Sequence, residues 1–198
     1  VFSGFHLQLK KTFFQFSADV QIRQVEKDEW GQMIGVPIKN YEELVGRMGK
    51  VPGVKGAMPI IVGKVMLETQ PKDAEPAFDA PKLIGVDGER MKQVSKVPES
   101  IVDGEFDLSG NGLVVGYNYG RPDGMFRLNV GDLVLIYSPQ SLKEMKDAQE
   151  EGETLGVLPD EYTVKGVFDA GQGELNDFMF CDLYNAQDLY HIEDDQVH

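Results

Sequence analysis

The sequence predicts an α+β fold, and three observations carry that reading. Short apolar runs recur along the chain, bounded by glycine, proline and acidic residues, which is how buried strands read. They are Leu83–Val86, Gly112–Gly116, Leu133–Tyr137, Tyr162–Phe168 and Phe178–Leu183. A helix signal stands ahead of them: Asn40 before Tyr41–Met48, with Glu42 and Glu43 where a helix start favours negative charge. Finally, strand-like, helix-like and strand-like segments follow one another from Asp19 to Leu67, the order of a split α/β arrangement.

Residues 1–16 carry Phe2, Phe5, Leu9, Phe13 and Phe16 at spacings of three and four, the stripe of an amphipathic helix, widened by Leu7 and Phe14. Asp19–Val25 alternates polar and apolar residues and is expected as a half-buried strand. Gly49 is the expected stop of the helix capped by Asn40, and Val51–Val54 is a turn. Ala57–Leu67 is strand-like, broken by Pro59 and Gly63. Three prolines make Gln70–Pro81 a loop or hairpin tip. Glu89–Val94 is helix-like, and Ser100–Asp107 is an acidic, irregular stretch. Tyr117–Phe126 holds two glycines and a proline, which disfavour a regular helix. Gly131-Asp132 turns tightly into the strand Leu133–Tyr137. Ala170–Gly173 is a turn, and Asn185–Tyr190 is a closing helix.

Composition narrows the function. The chain has 198 residues with a net charge of −14, and that charge is uneven. Residues 1–100 hold 14 basic against 13 acidic side chains, whereas residues 101–198 hold 5 against 20. A nucleic-acid surface needs clustered Lys and Arg, so that class is excluded. No run of about 18 apolar residues occurs, so nothing reads as a membrane span. The opening on Val1 suggests a piece of a longer chain or a mature form. Cys181 is the only cysteine, which rules out an internal disulfide; its apolar neighbours predict a buried thiol.

Chemistry-bearing patterns are scarce. His6, His191 and His198 show no metal-ligand spacing. His191 and His198 stand among Glu193, Asp194 and Asp195, read as a frayed acidic end. Asp103–Asp107 with Asn111 lacks the spacing of a calcium loop. The glycine pairs Gly110/Gly112 and Gly171/Gly173 are tight turns and not phosphate cradles. No nucleophile elbow or triad order occurs. Trp30, Tyr117 and Tyr119 would suit sugar stacking, but packing is their ordinary use. The expected catalytic, cofactor and metal sets are therefore all empty.

One segment resists a core explanation. Pro139 to Pro159 joins two strands that a far shorter turn would connect. Leu142 and Met145 share a helical face with Gln149, so part reads as a short helix, and Leu155, Val157 and Leu158 lie near the end.

The order of motifs in the last third resembles the extracytoplasmic domain of MacB-type ABC transporter permeases, most closely the lipoprotein-releasing LolC/LolE branch. The residues that carry the resemblance are Leu128-Asn129-Val130-Gly131-Asp132, Gly166-Val167-Phe168-Asp169 and Asn185-Ala186-Gln187-Asp188-Leu189. Val51-Pro52-Gly53-Val54 and Gly85-Val86-Asp87 fit the same pattern more loosely. The resemblance implies a two-lobed periplasmic domain, part of an integral protein of the bacterial inner membrane. A porter-like α/β lobe would hold residues 1–82 and 172–198. A strand-rich, Sabre-like lobe, residues 83–171, would be inserted in it, with a loop at 139–159. The resemblance implies no enzyme and no cofactor. It implies one membrane helix before Val1 and three after His198, a cytoplasmic ABC ATPase, a second permease subunit, and force transmission by rigid-body motion.

In LolC-type permeases a proline-bounded loop at this position, the hook, recruits the lipoprotein carrier LolA. Pro139 and Pro159 match its bounding prolines, although the interior here is longer and more acidic. The implied partner-binding residues are Pro139, Leu142, Met145, Leu155, Val157, Leu158 and Pro159. The expected function is lipoprotein release from the inner membrane. The alternatives are a MacB-type efflux or mechanotransmission permease and, in another class, a secreted carbohydrate- or peptide-processing enzyme.

Overall fold

Nine strands form one mixed sheet. In order across it they are β4 (Ile60–Lys64), β7 (Lys82–Val86), β12 (Phe178–Asp182), β9 (Gly112–Gly116), β11 (Asp160–Phe168), β10 (Leu133–Tyr137), β5 (Met66–Gln70) and β6 (Phe78–Asp79). β8 (Ile101–Gly104) also pairs with β11. The computed structural model describes residues 20–70, 75–150, 156, 158–171 and 174–198. The amphipathic segment 1–16 and part of the 70–81 loop lie outside the described residues.

The centre of the sheet follows from its sequence. β9 is buried along its whole length, as a strand covered on both faces must be. Leu113 and Val115 enter one apolar cluster with Ile61, Leu83, Val164, Met179 and Cys181. Val114 points the other way, into a second cluster with Val86, Met91, Phe168 and Phe180. β12 divides the same way, Met179 and Cys181 against Phe180, and Phe180 meets Phe168 edge-on at 5.4 Å. Each such side chain contributes about 1.5–3 kcal/mol on burial. β11 runs parallel to β9 and antiparallel to β10. Strands from both expected lobes thus share one sheet.

Residues 60–86 form a kinked hairpin. β4 pairs with β7, and β5 pairs with β6. Only Val65 separates β4 from β5, and its N–H donates to the Pro81 carbonyl at 3.2 Å. The break falls at Val65 and not at Gly63. The base of this hairpin opens the strand order and its tip closes it, so the sheet curls strongly.

Helix α1 (Tyr41–Met48) has the expected bounds. Asn40, however, sits at φ 51 and its side chain caps nothing, because its left-handed backbone turns it away from the first-turn amides. Asp87 caps α2 (Gly88–Val94), accepting from the N–H groups of Glu89 and Arg90 at 3.0 Å. α3 (Tyr117–Gly120) is a single turn that ends before Arg121-Pro122, in keeping with the glycine and proline content. Its Tyr119 is buried, and the hydroxyl donates to Asp79 Oδ2 at 2.6 Å. Burial first, then that carboxylate, drives its pKa far above the ordinary range.

Four further expectations need correction. The strand expected at Asp19–Val25 lies at Gln24–Lys27 (β1) and is exposed throughout, because its partner β2 (Met33–Val36) belongs to a separate hairpin off the sheet. Ser100–Asp107 contains the strand β8, which is mostly exposed. The C-terminal end is not frayed: β13 (Gln196–Val197) pairs with β3 (Ile38–Lys39). His198 continues it, donating its N–H to the Ile60 carbonyl at 3.1 Å and accepting the Val62 N–H on Nδ1 at 3.2 Å. Finally, the short helix expected around Leu142 and Met145 is longer than a short turn of the loop, running through twelve residues (α4, Pro139–Glu150).

Candidate functional site

The candidate site is the excursion between β10 and β11. Its first residues are built to start a helix. Ser138 is buried, and its Oγ accepts the N–H of Ser141 at 3.0 Å. Pro139 stands next, at the first helical position, where its missing N–H costs nothing. The first helical bond runs from the Leu142 N–H to the Ser138 carbonyl at 3.1 Å. Helical spacing alone missed Ser138, although the Ser-Pro step is a legible helix-start signal.

α4 runs twelve residues with none buried. Leu142 and Ala148 are half-buried, and Met145 is 36 % exposed, so these three mark the less wet stripe. Gln149 is exposed; Ala148 takes the place expected for it, since spacings of three continue the stripe. The opposite face carries Lys143, Lys146, Asp147 and Glu150, with an exposed Lys146–Glu150 pair at 3.6 Å. Such a pair contributes little to stability. Leu158 is 91 % exposed and Pro159 half-buried. Pro139 is exposed, while Leu155 and Val157 lie outside the described residues. Among the described residues the excursion offers an apolar stripe for contact and no converging polar groups.

Elsewhere, an open groove of about 630 Å³ runs between α2 and α5 (Leu183–Leu189), lined among others by Asp87, Phe106, Asp107, Asp182 and Tyr184. Three of its carboxylates are engaged locally. Asp87 caps α2, and Asp182 caps α5 through the Tyr184 N–H at 2.9 Å. Asp107 accepts the Ser109 N–H at 2.9 Å. The Ser109 hydroxyl, then that N–H, hold its carboxyl below the usual range. Among the described residues no cluster of His, Cys, Asp and Glu could hold a metal ion. Cys181 is fully buried, and burial raises its thiol pKa far above the range of a reactive thiolate. Trp30 is 80 % exposed at the turn of the β1–β2 hairpin and Tyr117 is 38 % exposed, so neither takes the packing role expected of it. Among the described residues, no helix is long and apolar enough to cross a membrane.

No family model and no curated protein matches the chain. Solved structures are similar to it, and two of them illustrate the likeness. One is the extracellular domain of the noncanonic ABC-type transporter YknZ from Gram-positive bacteria, at 14 % identity and TM-score 0.48, with 77 % of this chain and 66 % of that one covered. The other is a domain of a protein assigned as a permease from Porphyromonas gingivalis, at 14 % identity and TM-score 0.44, with 84 % and 65 % covered. The match spans just under two thirds of the length of either structure.

Proposed function

We propose that this chain is a non-catalytic domain of a MacB/LolC-type ABC transporter permease, lying outside the cytoplasmic membrane and acting in lipoprotein release. The observation that carries the reading is α4. Ile136 of β10 and Asp160 of β11 are register partners, so a short turn would join these strands. The chain instead extends through residues 138–159 and builds a twelve-residue helix without a buried residue. Such an excursion contributes little to the core and much to accessible surface.

In this reading Leu142, Met145 and Leu158 offer apolar contacts to a lipoprotein carrier, Leu155 and Val157 are the further contact residues that the resemblance implies, and Pro139 and Pro159 bound the segment. The two lobes are joined through the shared sheet. A cytoplasmic ATPase drives the transmembrane part of the permease, and a second permease subunit completes it. Efflux and mechanotransmission are the alternatives within the same architecture.

The test is a pull-down from periplasmic extract with the intact chain and with residues 141–157 replaced by a short Gly-Ser linker. Capture of a lipoprotein carrier by the intact form alone is expected. Equal capture by both forms moves the docking surface elsewhere. No carrier, from an extract shown to contain one, overturns lipoprotein release in favour of efflux or signalling.

A further inference from the structure

The groove between α2 and α5 holds more acceptors than the fold itself engages. Asp87, Glu89, Asp107, Asp182 and Asp194 line it, and Lys92 is the one cation beside them. Lys92 is held by Glu89 at 2.6 Å. Asp87 is fully engaged, through the start of α2 and through Arg90 at 3.3 Å. Asp182 is engaged by half: Oδ1 takes the Tyr184 N–H, while Oδ2 accepts from no described residue. Asp194 bonds through its backbone carbonyl, and its exposed carboxylate has no partner among the described residues.

Acidity alone would make a solvated rim. Gln187 is a second, independent observation. It lines the same groove and is only 3 % exposed. Its Nε2 donates to the carbonyls of Glu193, Asp194 and Gln196 at 3.4, 2.8 and 3.0 Å. Three carbonyls around the nitrogen fix which end of the amide is which. Oε1 lies at the other end and accepts from no described residue. Asp132 Oδ1 and the Tyr190 hydroxyl are the fully enclosed atoms without a partner among the described residues, and Oε1 is not one of them. It therefore opens onto the groove that Gln187 lines. A mostly buried acceptor without a donor is costly, and a ligand N–H would relieve it.

Aromatic rings stand among these acceptors. Tyr41 and Phe106 are half-buried, and Tyr184 is 62 % exposed. A guanidinium answers all three features. It carries five N–H donors in one plane, stacks on aromatic faces and is more weakly hydrated than an ammonium. A metal ion fits worse, since no cluster among the described residues could hold one. The open volume of about 630 Å³ has room for several side chains. The surrounding charge suits a basic chain as well: residues 101–198 hold 5 basic against 20 acidic side chains, a field that draws cations in.

We propose that this groove binds an extended, arginine-bearing peptide segment. One guanidinium donates to Asp182 Oδ2 and Gln187 Oε1 and lies against the Tyr184 ring. A neighbouring basic residue of the peptide faces Asp194. The inference does not depend on the transport reading.

Fluorescence anisotropy of labelled acetyl-Gly-Arg-Gly-Arg-Gly-amide with the intact chain tests it. The peptide is expected to bind, and its lysine counterpart at least about threefold more weakly, because an ammonium lacks the planar fork. Asp182→Asn keeps the helix cap, since asparagine caps as well as aspartate. It is expected to weaken binding at least about fivefold, because hydrogen bonds to a charged acceptor are roughly twice as strong. Tyr184→Ala is expected to weaken it about threefold. Glu161→Gln removes the same charge from an exposed position of β11 outside the groove, and is expected to change the affinity by less than about twofold. The side-chain amide signal of Gln187 is expected to shift on binding. Absence of binding, a lysine peptide that binds as tightly, or equal losses in Asp182→Asn and Glu161→Gln would overturn the proposal. So would displacement of the peptide by guanidinium chloride at the peptide's own concentration, since the groove would then be a site for a small cation.

Discussion

Helices α4 and α5 show how differently one chain can hold a helix. α4 is the longer, at twelve residues, and buries none of them. α5 has seven and buries Leu183, Ala186, Gln187 and Leu189. Both start on a side-chain cap, Ser138 for α4 and Asp182 for α5. Local chemistry is therefore comparable at the two ends, and the sheet makes the difference. α5 lies against β7 so closely that Gly85 is needed beneath Ala186: a Cβ there would overlap the Ala186 Cβ. Short helices are unstable alone and rely on tertiary packing. Damage to α5 should therefore reach the whole fold, and damage to α4 should stay where it is made.

The largest expected effect breaks the contact on the α5 side. Gly85→Val should cost about 3 kcal/mol, at the upper end for overpacking, because the Ala186 Cβ cannot rotate away. Urea unfolding measures it. Gly85→Ala should be partly rescued by Ala186→Gly. If the double variant is no more stable than Gly85→Ala alone, the close approach is not what limits position 85.

Equal chemical damage to the two caps sharpens the comparison. Asp182→Ala and Ser138→Ala each remove one side-chain acceptor, worth about 1 kcal/mol at a helix start. Asp182→Ala should lower the global unfolding midpoint by that amount. Ser138→Ala should leave the midpoint almost unchanged and instead speed amide exchange from Leu142 to Glu150, since local opening needs no global unfolding. A global loss of the same size in both variants would show that α4 is coupled to the core, against the docking role proposed for it.

The same division decides what the sequence could say. β9, β11 and β12 were legible because their buried positions are mostly apolar, so pattern and packing agree. α1, α2 and α5 were legible through composition but not through their starts: Asn40 caps nothing, and the Asp182 cap starts α5 at Leu183, ahead of the expected Asn185. β8 was not: only Ile101 of its four residues is even half-buried, and it exists through pairing with Gly166–Phe168. β13 was hidden for another reason: its two residues are buried, but two residues carry no alternation to read. Glu193 to Asp195 read as a solvated end, whereas pairing with Ile38 and Lys39 orders Gln196 and Val197. At the candidate site, Leu142 and Met145 came from helical spacing, but the full length of α4 did not. Its polar composition reads as loop, and only the Ser138 cap and Pro139 announce the helix.

The smallest effect separates the two regions by pH. Asp107 lines the groove beside α5, and its carboxyl is held below the usual range by the Ser109 hydroxyl and N–H, with a smaller contribution from Lys165. A carboxylate favoured in the folded state stabilises above its unfolded pKa, about 3.9, and that stability is lost as pH falls through the lower folded value. Asp107→Asn keeps an acceptor oxygen but does not titrate. The wild-type chain should therefore be slightly more stable than Asp107→Asn at neutral pH, and the gap should close through the acid range. The α4 cap is a hydroxyl that does not titrate, so the factor by which Ser138→Ala lowers amide protection, relative to wild type at the same pH, should be the same at both ends of that range. Thermal unfolding of wild type and Asp107→Asn at a series of pH values reads the first contrast. A gap that stays constant with pH would mean that Asp107 holds the Ser109 turn through shape alone, without its charge.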